Sequence, residues 1–169
     1  YWNQAQDCAG ECGGDSVVDE CGVCGGTGAP VGDSNDDCIL NVLDIVSLVQ
    51  IIINGLTPEY DADFNGDDIV NILDVVQLVG FVVNGSVRVS DATSADMMIT
   101  DNSLSLTSNG YIGGVQMTLS HDNGFELNLT DKAMVAEYKT SGTSTILVVV
   151  EPNDELIFTT NQSFDIVEM

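Results

Sequence analysis

Basic residues are nearly missing from this chain. Its 169 residues hold 27 acidic side chains against 3 basic ones, a formal net charge of −24. The three are Arg88, Lys132 and Lys139; from Tyr1 to Val87 there are fifteen acids and no Lys or Arg. A field of that sign disfavours DNA, RNA and anionic lipid as partners, and the segment repels itself unless cations are bound. Long apolar runs are missing too: nothing approaches the roughly 20 residues of a membrane span, so membrane insertion is not expected. Histidine occurs once, at position 121, and tryptophan once, at position 2. A nucleophile, base and orienting group cannot be assembled from this inventory, and sugar-stacking aromatics are scarce, so the chain reads as no enzyme and as a poor carbohydrate binder. His121 stands beside Asp122-Asn123-Gly124, which reads as a hairpin turn that leaves the ring exposed.

The first thirty residues lack a core. Val17, Val18 and Val23 are almost all they offer, so the segment needs covalent or metal staples. Cysteines supply them: Cys8, Cys12, Cys21, Cys24 and, further on, Cys38. Leaving out any one of five and pairing the rest in three ways gives fifteen connectivities, and spacing does not choose among them. The favoured reading is two disulfides, with Cys38 tying this segment to the acidic stretch after it. The odd thiol then bonds another chain or lacks a partner from an upstream region. Zinc is the competing reading, because Cys8-x₃-Cys12 and Cys21-x₂-Cys24 have knuckle spacing.

Two later stretches say nearly the same thing thirty residues apart. Asp33-Ser-Asn35-Asp-Asp37-Cys-Ile39-Leu-Asn41-Val-Leu-Asp44 is followed by Asp63-Phe-Asn65-Gly-Asp67-Asp-Ile69-Val-Asn71-Ile-Leu-Asp74. Each places oxygen-bearing side chains at positions one, three, five, nine and twelve, the ligand pattern of an EF-hand-type calcium loop, with Ile39 or Ile69 offering a backbone carbonyl at position seven. The expectation is Ca2+ at two sites. Position six, where such loops place Gly for a sharp turn, holds Cys38 and Asp68. Asp tolerates a left-handed backbone better than Cys, so the second loop is expected to be the better built. Asp and Asn also cap helices, which is the bland alternative for these residues.

The segments after the loops repeat as well. Asn41 to Gly55 aligns with Asn71 to Gly85, and each reads as a short helix ending at a Gly cap. The β-branched content favours strand, but Asn41, Asp44, Ser47, Gln50 and Asn54 recur every three or four residues, a helical stripe. So narrow a polar stripe means burial on most sides, and two short helices cannot cover each other. The pair is therefore expected to pack against the rest of the chain or against another molecule, the alternative being a private core between the two helices.

Loop–helix calcium units in duplicate resemble the dockerin family, small modules that plug surface proteins into cohesin modules. Leu40-Asn41-Val42-Leu43-Asp44 and Val70-Asn71-Ile72-Leu73-Asp74 carry the resemblance. It implies one calcium site at Asp33, Asn35, Asp37, Asn41 and Asp44, another at Asp63, Asn65, Asp67, Asn71 and Asp74, and a cohesin-like partner. Cellulosomal dockerins often have hydroxyl residues at loop positions ten and eleven; here stand Val42, Leu43, Ile72 and Leu73. The leading segment Asp7-Cys8-Ala-Gly-Glu-Cys12-Gly-Gly and Asp19-Glu-Cys21-Gly-Val-Cys24-Gly-Gly resembles a repeat of secreted bacterial surface proteins. Its Cys21-Gly-Val-Cys24-Gly-Gly-Thr-Gly28 also matches one zinc unit of chaperone domains.

From about Ser86 the pattern turns to strands. Candidates span 97–100, 103–107, 112–120, 125–129, 134–139, 145–151, 156–160 and 164–167, split by turns such as Asn109-Gly110 and Ser141-Gly142. The run Ile146-Leu-Val-Val-Val150 suggests a central strand covered on both faces. So many short strands point to a β-sandwich. Within them, Gly113-Gly-Val-Gln-Met-Thr-Leu-Ser120 resembles a segment near the start of cohesin-like sandwiches. The Asn-x-Ser/Thr patterns at Asn84, Asn128 and Asn161 fit glycosylation sites.

The expected organisation is multi-module: a Cys/Gly-rich disulfide-stapled segment over 1–31, a small α dockerin-like calcium-binding module over 32–86, and an all-β sandwich, cohesin-like, over 87–169. The chain starts at Tyr1 without Met, and the stretch from Phe164 to Met169 stops inside an expected strand, as in a processed secreted protein or a trimmed piece. The expected function is a secreted structural protein that assembles from copies of itself into an extracellular fibre or surface layer. The alternative is an anchoring module at the cell surface that docks a cohesin-like protein or a surface polysaccharide.

Overall fold

The computed structural model describes residues 5–58, 62–83 and 91–169. Two helices, α1 (Val42–Asn54) and α2 (Ile72–Val82), precede eight strands: β1 (Ala95–Thr100), β2 (Ser103–Ser108), β3 (Gly114–His121), β4 (Leu127–Leu129), β5 (Ala133–Ser141), β6 (Ser144–Pro152), β7 (Leu156–Thr160) and β8 (Phe164–Glu168). The strands form two antiparallel four-stranded sheets, β1-β2-β7-β4 and β5-β6-β3-β8, a sandwich-like arrangement. All eight expected strands are present within a few residues of their expected bounds.

Each helix starts at an Asn cap whose side chain accepts the N–H two residues on, while Asp44 or Asp74 reaches back to the cap N–H. That reciprocal box satisfies donors the first turn leaves free. α1 stops at Gly55, which takes a left-handed φ of 58°. The Gly85 cap expected for α2, like the Asn84 glycosylation pattern, lies outside the described residues.

β6 explains the layering. Its apolar run alternates between two cores. Leu147 and Val149 face the space between the sheets, with Leu104, Leu106, Val115, Met117, Leu119, Leu127, Ile157 and Phe158. Val148 and Val150 face the other way and join Ile45, Leu48, Val49, Ile52 and Ile53 of α1 and Val75, Leu78 and Val79 of α2. The helices thus form a third layer on the outer face of the β5-β6-β3-β8 sheet. The partner required by their apolar sides is the chain itself, and one core runs across the expected boundary near residue 86.

α2 comes closest to the sheet at Gly113 and Gly114. A Cβ on Gly114 would stand 2.7 Å from Ile72 Cδ1, and one on Gly113 would stand 2.7 Å from Val76 Cγ1. Two residues on, Gln116 Oε1 accepts the Ile72 N–H at 3.1 Å, satisfying a first-turn donor of α2. On the strand side, Gly113 O accepts the Glu151 N–H at 2.8 Å, and Tyr111 donates its hydroxyl to the Glu151 carboxylate.

Two expectations need correction. Asp122-Asn123-Gly124 is not a hairpin turn, because β3 and β4 belong to different sheets and the turn crosses between them. His121 accordingly is not solvated but buried. Its ring stacks on Phe125 at 3.9 Å between centroids, and Nε2 meets Thr145 Oγ1 at 2.8 Å, which in turn meets Thr140 Oγ1 at 2.7 Å. His121→Ala is therefore expected to lower stability by about 2 kcal/mol, since it opens a cavity and removes a partner from the fully buried Thr145. A solvated surface ring would cost within about 0.5 kcal/mol, so urea unfolding distinguishes the two placements.

In the leading segment, Cys8 is joined to Cys24 and Cys21 to Cys38, leaving Cys12 free and exposed. The zinc reading is overturned: four of the five sulfurs are spent in disulfides, so neither Cys-x₃-Cys nor Cys-x₂-Cys offers two thiolates. Such bonds fit an oxidising compartment. Asp7 and Asp19, twelve residues apart, organise two equivalent ten-residue turns. Asp7 accepts N–H groups from Ala9, Glu11 and Ser16, and Asp19 accepts them from Val23 and Gly28. Among the described residues no helix is long and apolar enough to cross a membrane.

Candidate metal centre

Each acidic loop winds around its first carboxylate. Asp33 Oδ1 accepts the Asp37 N–H at 3.1 Å and Oδ2 the Cys38 N–H at 2.7 Å. Asp63 does the same for Asp67 at 3.1 Å and Asp68 at 2.7 Å, and also takes the Gly66 N–H at 2.7 Å. The last carboxylate closes the loop from the helix side: Asp44 accepts the Asn35 and Asn41 N–H groups at 3.4 and 2.8 Å, and Asp74 those of Asn65 and Asn71 at 3.0 and 2.8 Å. Asn35 and Asn65 pair with Asp37 and Asp67, whose other oxygens accept the Ile39 and Ile69 N–H groups, each at 2.9 Å. The two loops are therefore built on the same hydrogen-bond scheme.

The sharp turn at position six is made without glycine. Cys38 has φ 63° and Asp68 φ 66°, both left-handed. A non-glycine residue there is held by its surroundings. For Cys38 the restraint is covalent, because its disulfide to Cys21 joins the first loop to the leading segment.

Carboxylates converge in the first loop. One oxygen each of Asp33, Asp37 and Asp44 lies within 4.8 Å of the others, the one such three-residue group among the described residues. Asp33 and Asp44 are buried and Asp37 is exposed, so the group opens to solvent on one side. Burial pushes the Asp44 carboxyl above the usual range; the N–H groups of Asn41 and Asn35 oppose this, and the Asp33 and Asp37 carboxylates add to it. At Asp63 desolvation acts in the same direction, but the N–H groups of Asp68, Gly66 and Asp67 outweigh it and hold that carboxyl low. Three carboxylates this close repel one another unless a proton or a cation stands among them.

The donor set suits a hard cation. It consists of carboxylate and amide oxygens, with no free thiol and no imidazole, which matches calcium or magnesium better than zinc or copper. Asn41 and Asn71 use Oδ1 to cap their helices through Leu43 and Leu73 N–H. The Ile39 carbonyl accepts Asn41 Nδ2 at 3.0 Å.

No protein-family model, no curated protein and no solved structure matches this chain. The case for a site therefore rests on the loops themselves. Of the twelve metal-site residues expected from sequence, the structure gathers Asp33, Asp37 and Asp44 at ligand spacing, and it ties Asn35, Asn41 and Ile39 around them. The second loop repeats the hydrogen bonds through Asp63, Asn65, Asp67, Ile69, Asn71 and Asp74 without closing three carboxylates to that distance. Sequence reasoning did not assign Gly113, Gly114 and Gln116 the task of seating and capping α2. The visible signal was two adjacent glycines opening a cleanly alternating strand.

Proposed function

We propose that this is a secreted, calcium-binding structural protein whose copies assemble into an extracellular fibre or surface layer, without catalysis. The observation that carries this reading is where the apolar surface lies. Most of the apolar area of α1 and α2 is buried on the chain's own sheet, and Ile72 and Val76 are pressed onto Gly113 and Gly114. Yet Ile39, Val42, Leu43, Ile69, Leu73 and Phe81 are exposed at the loops and helices, and Met97, Met98 and Ile99 are exposed on β1. Exposed apolar residues grouped at two such places are candidate contact surfaces. Two disulfides support an extracellular setting.

Calcium would supply the charge the chain lacks. Two ions would add four positive charges at its most crowded acids, lowering the repulsion between copies that carry −24 each. Asp33, Asn35, Asp37, Asn41 and Asp44 would hold one ion, and the matching residues of the second loop the other. Val42 and Leu43 of α1 are exposed at the loop positions where dockerins meet their partner, so a second reading has this face dock a cohesin-like partner of other than cellulosomal type instead of another copy.

Light scattering in millimolar calcium, then after excess EGTA, tests the assembly. Particles of many chain masses that dissolve on chelation are the expected result. A species of one chain mass in both conditions would sink the assembly reading and leave the docking module.

A further inference from the structure

We propose that copies join head to tail by strand addition, β1 of one copy pairing with the free edge of β5 on the next. The inference rests on the assembly reading above and names its contact. β1 and β5 are edge strands of different sheets, each hydrogen-bonded to a single neighbour strand among the described residues. β1 is exposed at all six residues, including Met97, Met98 and Ile99. It carries none of the usual protection of an edge: no proline, no lysine and no inward-pointing charge among its apolar residues.

Charge selects the partner. Asp96 and Asp101 are the ionisable groups on or adjoining β1, so two β1 strands side by side would bring acids together without a cation. β5 holds Glu137 and Lys139, a neutral pair of charges in an otherwise acidic molecule. Lys132 is already bonded to Asp154 at 2.9 Å, whereas Lys139 is exposed and in no ion pair among the described residues. Antiparallel pairing with Asp96 opposite Lys139 sets Met97 opposite Tyr138 and Ile99 opposite Ala136. Those four residues belong to the inner faces of their sheets, because Met97 and Ile99 pair with Leu106 and Leu104, and Ala136 and Tyr138 with Val149 and Leu147. One register thus sets Asp96 against Lys139 and the inner-face apolar residues against each other, with Met98 opposite Glu137 on the other face.

The two edges also lie at opposite corners of the sandwich. A cleft of about 500 Å³ is bordered by Ala95 of β1 and by Glu168 and Met169 at the end of β8, so β1 lies over β8 and far from β5. A contact between two different surfaces set apart in this way does not close on itself in a pair, and repetition gives an open filament wherever the rotation between copies does not close a ring.

The test compares the parent chain with Asp96→Lys, Lys139→Asp and the double swap, each checked for unchanged thermal unfolding. In millimolar calcium each single change is expected to raise the concentration at which large particles appear about tenfold, and the double swap to return it near the parent value. A second measurement mixes Met97→Cys and Tyr138→Cys chains, both also carrying Cys12→Ser, with a short thiol crosslinker. Mixed dimers should outnumber like pairs at least tenfold. Assembly that ignores the charge changes, or crosslinks only between like chains, would overturn the strand contact while leaving assembly standing. A parent chain that stays at single mass, with no mixed crosslink, would overturn both.

Discussion

Removing calcium is expected to lower the thermal midpoint by roughly 10 to 20 °C. An ion at a hundred times its dissociation constant stabilises the folded state by about 2.7 kcal/mol, so two sites contribute about 5 kcal/mol, and each kcal/mol moves the midpoint of a chain this size by about 2 to 4 °C. The mechanism is local. Asp33, Asp37 and Asp44 converge within 4.8 Å, and Asp44 is at once a carboxylate of that group, the closing residue of the loop and the third residue of α1. Without the cation their repulsion works against the helix start that fills the core beside Val148 and Val150. Asp44→Ala is expected to abolish the first site and cost about 1 kcal/mol more through the lost cap. It should leave roughly half of the calcium-dependent shift, carried by the second loop; Asp74→Ala should remove the other half. Scanning calorimetry of the three chains in calcium and in EGTA measures both. A parent midpoint that does not move on chelation would end the calcium reading, and the loops would then be helix caps alone.

The second large effect is expected at the seat of α2. Gly113→Ala together with Gly114→Ala would place methyl groups 2.7 Å from Val76 Cγ1 and Ile72 Cδ1, inside van der Waals contact. Either α2 lifts or the strand shifts, and lifting α2 also breaks the bond from Ile72 N–H to Gln116. Overpacking of this kind typically costs about 1 to 3 kcal/mol per site, so a combined loss of about 3 kcal/mol is expected. Chemical denaturation should show it as a lower midpoint with an unchanged slope. A double variant as stable as the parent would mean that helix and sheet are not packed as one body. The same variant carries a second expectation, that the freed apolar face of α2 makes the chain aggregate at lower concentration.

Much of this architecture is legible locally. Both helices are signalled by Asn caps with Asp three residues on, and α1 also by the polar stripe of Ser47, Gln50 and Asn54, because capping and helical period act over one or two turns. Every strand shows as a short apolar or alternating run between turn residues. The loops are readable because their oxygen-bearing residues recur at fixed spacing within twelve residues. The unbroken run Ile146–Val150 indicates coverage on both faces, since a strand with one wet face alternates.

The identity of the covering layers, however, was not readable, because they are brought together by residues far apart in sequence. That α2 lies in one of them depends on Gly113 and Gly114 being bare and on Gln116 reaching the Ile72 N–H, contacts across more than thirty residues. His121 was misplaced for the same reason: a turn sequence that suggests a hairpin can also carry the chain from one sheet to the other, and Phe125 and Thr145 then close over the ring. Cysteine pairing is also nonlocal. Sequence alone determined the two acidic loops, the helices after them, the eight strands and the cation-hungry charge, all of which depend on neighbours within a few residues. Only tertiary structure decided which cysteines meet, which carboxylates converge and which apolar faces remain uncovered, since each depends on how layers pack in space.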